Sequence, residues 1–268
     1  MLHRNGDDID QGLVKMVLDS LVPIGFNKAD VDEECLDLYK QHFEDPFIAA
    51  TDQYYRTESE SCLAQDSMSD YMKKVEERLK EEEDRVEQYL NTATGPELIS
   101  KCEDVLIRGH AERMSDHFPT LLDSDPDDDL QRMYTLLSRI PEGLELLEMK
   151  FGTHVKQAGL TAIMDLVSER GANIDPEAYV DALLEVHHGY SEMVTGNFKG
   201  EGTTRFMVSL DKACEEYINS NAATSASSTR SAELVVQYVD MLLRQSSKLA
   251  EGDLEGALDH VVRVSWYR

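Results

Sequence analysis

Apolar residues recur at helical spacing along almost the whole 268-residue chain, and no stretch alternates apolar with polar as a half-buried strand does. The first runs are Leu13, Val17 and Leu21; then Val31, Cys35, Leu38, Phe43 and Phe47; then Met68, Met72, Val75, Leu79, Val86 and Leu90. Leu98, Cys102, Val105 and Leu106 continue the pattern, as do Leu130, Met133, Tyr134, Leu137, Ile140, Leu144, Leu147, Phe151 and Val155. Tyr179, Leu183, Leu184, His187, Tyr190, Val194 and Phe198 follow; Leu234, Val235, Tyr238, Val239, Leu242 and Leu243 mark a further helix, and Leu254, Leu258 and Val261 a last short one. A period near 3.6 on every segment predicts an all-α fold in which each helix buries one stripe against its neighbours. About ten helices of this kind are expected to form two consecutive bundles.

Helix boundaries are marked by turn chemistry. Thr94-Gly95-Pro96-Glu97 offers an N-cap with a carboxylate at N3, and Asp175-Pro176 a cap followed by proline at N1. The run from Leu130 to Val155 exceeds an average helix, so Pro141 or Gly152 is expected to kink or divide it. Asp123 to Asp129, with five aspartates and Pro126, is read as the boundary between bundles, and the small polar tract Asn219 to Ser231 as a flexible connection. Lys73 with Glu77, Glu76 with Lys80 and Glu81 with Arg85 stand at i,i+4, worth ~0.3 kcal/mol each on an exposed face. Together with the run Glu81, Glu82, Glu83 and Asp84 they predict a solvated outer surface.

Fifty-three acidic against 26 basic residues leave a net charge of −27. Such a charge repels phosphate backbones and anionic lipid, so nucleic-acid and membrane-surface binding would need a local basic patch, and the sequence has none. No run reaches the roughly 18 apolar residues that span a bilayer, and Met1 to Asp10 is too polar for a signal peptide. Cys35, Cys62, Cys102 and Cys214 are widely spaced among apolar neighbours and are read as buried, reduced thiols. With no Asn-x-Ser/Thr acceptor, these features predict a cytoplasmic or nuclear protein whose partners are proteins.

Asp125, Asp127 and Asp129 match the first three oxygen ligands of a calcium loop, but Leu130 stands where glycine is needed and Leu136 where a bidentate glutamate is needed. Starting at Asp123 places Asp128 and Tyr134 there instead, so the aspartates are read as carboxylates favoured by a helix N-terminus. His187 and His188 point about 100° apart and cannot chelate as a unit; one is expected packed and the other wet. Gly196, Gly200 and Gly202 with Thr203 and Thr204 lack the Gly-Lys-Ser/Thr ending of a phosphate loop and read as a link between helices. Tyr54, Tyr55, Tyr71, Met72, Met133 and Tyr134 have core spacing rather than that of a recognition surface. No catalytic, cofactor-binding or metal-binding residue is assigned, and no enzyme activity or cofactor is expected.

Certain segments carry a family resemblance. Leu38-Tyr-Lys-Gln-His-Phe-Glu-Asp-Pro-Phe47 followed by Thr51, Tyr54, Tyr55, Glu58 and Ser59 closely resembles a signature of cullins, the scaffolds of multisubunit ubiquitin ligases. Tyr71-Met-Lys-Lys with Glu77, Arg78, Leu79, Glu81, Glu82, Arg85, Tyr89 and Leu90 resembles the next cullin segment, and Asp129-Leu-Gln-Arg-Met-Tyr134 with Leu137, Ser138, Arg139 and Ile140 a later one. Leu210-Asp-Lys-Ala-Cys214 with Ile218 and Asn219, then Glu233-Leu with Tyr238, Asp240, Leu242, Leu243 and Ser246-Ser-Lys248, follow in family order. The wording is most similar to the SCF class, which works with Skp and F-box proteins.

The resemblance implies an elongated stalk of five-helix cullin repeats, with 1–125 like the second repeat, 126–249 like the third, and 250–268 a short helix and a tail. It implies a non-catalytic scaffold and rigid spacer of a cullin-RING ligase in ubiquitin-dependent protein degradation, with ligase components and the cullin exchange factor as partners. On this reading the adaptor-binding first repeat and the RING-binding cullin homology domain are missing, and Arg263 to Arg268 matches nothing in the family. The alternatives are a regulatory competitor for stalk-binding proteins and a truncated product without independent function.

Overall fold

The computed structural model describes residues 4, 6, 8–24, 36–124, 127–170, 174–220 and 230–246. Val31, Cys35, Asp125, Pro126, most of the Asn219–Ser231 tract and the helix expected over Leu254–Val261 lie outside the described residues. Among the described residues there is no strand. The helices are α1 (Gln11–Ile24), α2 (Asp37–Tyr39), α3 (Asp45–Gln65), α4 (Met68–Gln88), α5 (Gly95–Leu106) and α6 (Ala111–Ser124). They continue as α7 (Asp127–Leu137), α8 (Gly143–Arg170), α9 (Pro176–Asn197), α10 (Glu201–Asn219) and α11 (Arg230–Ser246). A π-helical turn, Lys40–Glu44, joins α2 to α3, and short 3-10 turns, Thr92–Thr94 and Arg108–His110, precede α5 and α6.

The chain forms two compact units. The first holds Met1–His117 and Ser124–Leu144, the second Phe118–Asp123 and Glu145–Arg268. The helix that follows the aspartate-rich segment, α7, therefore packs in the first unit, where α4 covers it. In that unit α5 lies against both α3 and α4, and the seam is Tyr55, Tyr71, Met72, Val75, Leu79, Leu98, Cys102 and Val105, all buried. In the second unit α9 packs on α10 and α11, around Tyr179, Val180, Leu183, Phe206, Leu210 and Leu234.

Local chemistry differs from the spacing rules at several points. Thr94 does not cap α5 with its side chain; its hydroxyl meets the Tyr39 hydroxyl at 2.9 Å, and the cap is one turn earlier, where Asn91 accepts from Ala93 N–H at 2.9 Å. Ser67 caps α4 by accepting from Asp70 N–H at 3.1 Å. The long apolar run divides at the turn before Pro141, between α7 and α8, while Gly152 stays inside α8. In α1 it is Leu18 that is buried, while Leu13 and Val17 are 56% and 54% exposed; α1 packs on its neighbour α2. Within the second unit α8 and α10 approach so closely that a Cβ at Gly159 would overlap the ring of buried Tyr217, whose hydroxyl donates to the Leu183 carbonyl at 3.2 Å.

Leu137 is fully buried, whereas Tyr134, placed on the same seam by spacing, is half-buried. Leu137→Ala is expected to cost ~2–5 kcal/mol as a core truncation. Urea unfolding measures it, and a loss of under about half a kcal/mol, the usual size for surface changes, would take Leu137 off the seam.

Candidate functional site: a buried charge cluster and its clamps

Helix α4 carries acidic residues on every side, and their partners decide what each does. Glu82 lies on the face that continues Met72, Val75 and Leu79 inward, and its side chain is fully buried. The solvated face expected for Glu81 to Asp84 and Arg85 therefore holds only in part. Glu82 and Arg85 are core residues, with Arg85 donating from Nη1 to Glu82 Oε1 at 2.7 Å, while Glu83 and Asp84 remain exposed. A buried carboxylate is costly unless charged and hydrogen-bonding groups surround it.

Those groups come from the chain start and from α3. Arg4, ahead of α1, donates from Nε and Nη2 to the two Glu82 oxygens at 2.7 and 2.9 Å, and Nη2 also reaches Thr51 Oγ1 at 2.7 Å. The Tyr55 hydroxyl donates to the same carboxylate. Phe47, Tyr54 and Tyr55 place their rings around the guanidinium, with centroids 4.9, 5.8 and 5.4 Å from its carbon. Burial alone would raise the Glu82 pKa, but the Arg4 hydrogen bonds and charge, the Tyr55 hydroxyl and the Arg85 charge outweigh it and hold the carboxyl below its ordinary value. For Tyr55, burial and the adjacent Glu82 charge push the phenol well above its ordinary value.

Three more clamps join helices of the first unit. Arg78 on α4 donates to Glu58 on α3 at 2.6 and 3.0 Å and to Glu81 at 2.9 and 3.0 Å. Arg132 on α7 reaches Glu76 at 2.9 Å, and Arg139, just after α7, reaches Glu83 at 2.6 Å and Glu103 on α5 at 3.0 Å. Of the residues that the i,i+4 spacing marked on a solvated face, Glu76 is thus paired across helices, and of the pairs expected along α4, Glu81 with Arg85 closes at 3.4 Å. Residues of three separate signature segments, on α3, α4 and α7, are tied to one another pairwise through α4.

The other candidates stay apart. Asp123 is exposed and stands 3.3 Å from His154, and Asp129 pairs with Arg132 at 2.5 Å. Among the described residues no three His, Cys, Asp or Glu side chains converge as metal ligands. His187 is 13% exposed beside Asp211 and His188 is 71% exposed beside Glu192, on different faces of α9. Gly196 falls in α9, Gly202, Thr203 and Thr204 in α10, and Gly200 in the link between them with a positive φ of 64°. Cys62, Cys102 and Cys214 are free and buried; burial raises the Cys62 thiol to about 11 and the Cys214 thiol to about 12, so both are protonated at neutral pH. No helix among the described residues is long and apolar enough to cross a membrane.

Arg4 and the burial of Glu82 were the features that reasoning from sequence missed. A signal existed: the α4 seam runs Met72, Val75, Leu79, then skips to Val86, a gap of two turns in which a residue near position 82 must face inward.

Consecutive units of packed helices, with helices of the first crosslinked by charge, define a protein of the helical-repeat class. The family model described as the cullin alpha solenoid domain matches residues 1–266. The chain is 44% identical over 99% of its length to Cullin-1 of Dictyostelium discoideum, covering 34% of that protein. It is 39% identical over 99% of its length to Cullin-1 of Caenorhabditis elegans, covering 35% of that protein, and 38% identical over 96% of its length to Cullin-1 of Schizosaccharomyces pombe, covering 34%. The chain belongs to the cullin family. It spans about a third of the length of these curated relatives.

Proposed function

We propose that the chain is a non-catalytic scaffold segment of an SCF-type cullin-RING ubiquitin ligase, acting as a spacer in ubiquitin-dependent protein degradation. The supporting observation is the unbroken match of residues 1–266 to the cullin solenoid, with relatives named Cullin-1 in three organisms. On this reading 1–125 and 126–249 are successive cullin repeats, the partners are protein components of the ligase and the cullin exchange factor, and the setting is cytoplasmic or nuclear. Nucleic acid and membrane are not partners, since a net charge of −27 repels both. A spacer needs helices that do not slide on one another, and clamps such as Arg78–Glu58 and Arg139–Glu83 supply orientation through charge-assisted, partly bidentate bonds.

The test is a chimera in which residues 1–266 replace the matching segment of Dictyostelium Cullin-1. A spacer exchanged for its counterpart retains substrate ubiquitylation within a few-fold in a reconstituted ligase. A folded chimera that binds its subunits and yet transfers no ubiquitin would overturn the reading.

A further inference from the structure

The cluster around Glu82 is assembled from two sources. Helices α3 and α4 supply its recognition groups: the Glu82 carboxylate, the Thr51 hydroxyl, and the rings of Phe47, Tyr54 and Tyr55. The cation that fills it comes from neither helix. Arg4 lies ahead of α1, 78 residues from Glu82 in the chain, and between Arg4 and α1 Gly6 adopts a φ of 87°, a left-handed turn that favours glycine.

The contacts are specific for a planar cation. Two parallel N–H groups meet two carboxylate oxygens, a third polar contact goes to a hydroxyl, and three aromatic rings surround the remaining surface. A carboxylate bound in this forked way fixes the plane of a guanidinium, and aromatic rings add cation–π attraction. An ammonium is a point charge without a plane and cannot reproduce the set.

The receptor is also held together without its occupant. The Tyr55 hydroxyl and Arg85 both bond to Glu82, and the Thr51 hydroxyl donates to the Phe47 carbonyl at 2.7 Å. A groove of about 330 Å³ lies beside Arg4, with Gly6, Arg78, Glu81, Asp84 and Arg85 in its lining, so of the cluster's charged groups Arg4 and Arg85 border it.

We propose that the α3–α4 cage is an arginine-binding site that Arg4 fills in cis, and that it accepts an arginine guanidinium from another protein chain when Arg4 is withdrawn. The site is thus a receptor for an arginine-bearing segment, with its own plug attached. It rests on the geometry of the first unit and not on the ligase reading.

The experiment uses full-length Arg4→Ala with ethylguanidinium as the probe and ethylammonium at equal ionic strength as the control. Thermal unfolding is expected to fall in the variant and to recover by at least half with ethylguanidinium, with half-saturation at roughly 1–10 mM, the affinity range of a single small anchored cation. Ethylammonium leaves the variant unchanged, and wild type, whose cage is full, responds to neither. In Arg4→Ala/Thr51→Val, which keeps the carboxylate but loses the hydroxyl, half-saturation moves up about tenfold, one hydrogen bond to a charged group. If Arg4→Ala does not fold alone, return of its helical circular dichroism with ethylguanidinium, and not with ethylammonium, carries the same meaning. Equal responses to the two cations, no response, or a half-saturation unmoved by Thr51→Val each overturn the proposal.

Discussion

Glu82→Gln lowers the stability of the first unit by ~3–5 kcal/mol at neutral pH, the cost of removing one partner from a buried ion pair and leaving buried Arg4 without the carboxylate it grips. The substitution keeps the size of the side chain, so the loss is electrostatic: Arg4 and Arg85 remain, both under a tenth exposed, with like charges and no carboxylate between them. An exposed pair of the same type contributes at most about 1 kcal/mol, and Lys15–Asp19 on α1, with both side chains more than half exposed, is the internal comparison. Hydrogen exchange of α3 and α4 amides reads the local change directly.

The same residue sets an acid limit. Its folded carboxyl is held below the ordinary value by Arg4, Tyr55 and Arg85 against the opposing effect of burial, so the unfolded chain binds the Glu82 proton more tightly than the folded one. The stabilisation is then complete above the unfolded pKa of about 4.3 and is lost as the pH falls through the lower folded value. Glu82→Gln has nothing to titrate, so the gap between wild type and variant should narrow as the solution is acidified below about pH 4.3. A gap that stays constant down to the acid unfolding of both proteins would show that Glu82 does not hold its charge in the fold.

Phe206→Ala is the largest effect expected in the second unit, ~3–5 kcal/mol. Phe206 is fully buried, stacked on Phe198 at 4.2 Å between ring centroids, and edge-on to Phe151 at 5.3 Å and Phe118 at 6.4 Å. Its removal takes away aromatic contacts as well as apolar area, each such pair adding ~0.5–1.5 kcal/mol beyond burial. Val208, two residues further along α10 and 62% exposed, is the control: its replacement by alanine should stay within about 0.5 kcal/mol. Equal costs at the two positions would mean that α10 presents a different face to its neighbours.

Periodicity was enough for the helices because each is long and buries a continuous stripe, and apolar residues such as Leu79, Leu98, Phe151 and Leu183 fell where their spacing put them. It was not enough where structure depends on residues far apart in the chain. A carboxylate in an acidic run looks solvated unless its partner is known, and Arg4 is 78 positions from Glu82. The π-helical turn at Lys40–Glu44 left no mark that a 3.6-residue period could show, since it inserts an irregular step inside an apolar run. Leu13 and Val17 follow the rule in spacing and break it in burial, because spacing says that one stripe is apolar and not what covers it. The resemblance to cullins was legible because its residues lie in order over the chain; that Glu58, Glu76 and Glu83 would anchor clamps between helices, and that Thr51 would accept from Arg4, was not, because a signature records identities and not pairings.

The close crossing at Gly159 and Tyr217 couples the histories of two positions. A methyl group at 159 has no room while the tyrosine ring occupies its place, and a smaller ring partner at 217 would leave a void under a bare glycine and free the Leu183 carbonyl of its hydrogen bond. Neither site can drift alone at low cost, so a lineage that acquires a side chain at 159 must first, or at once, give up the ring at 217.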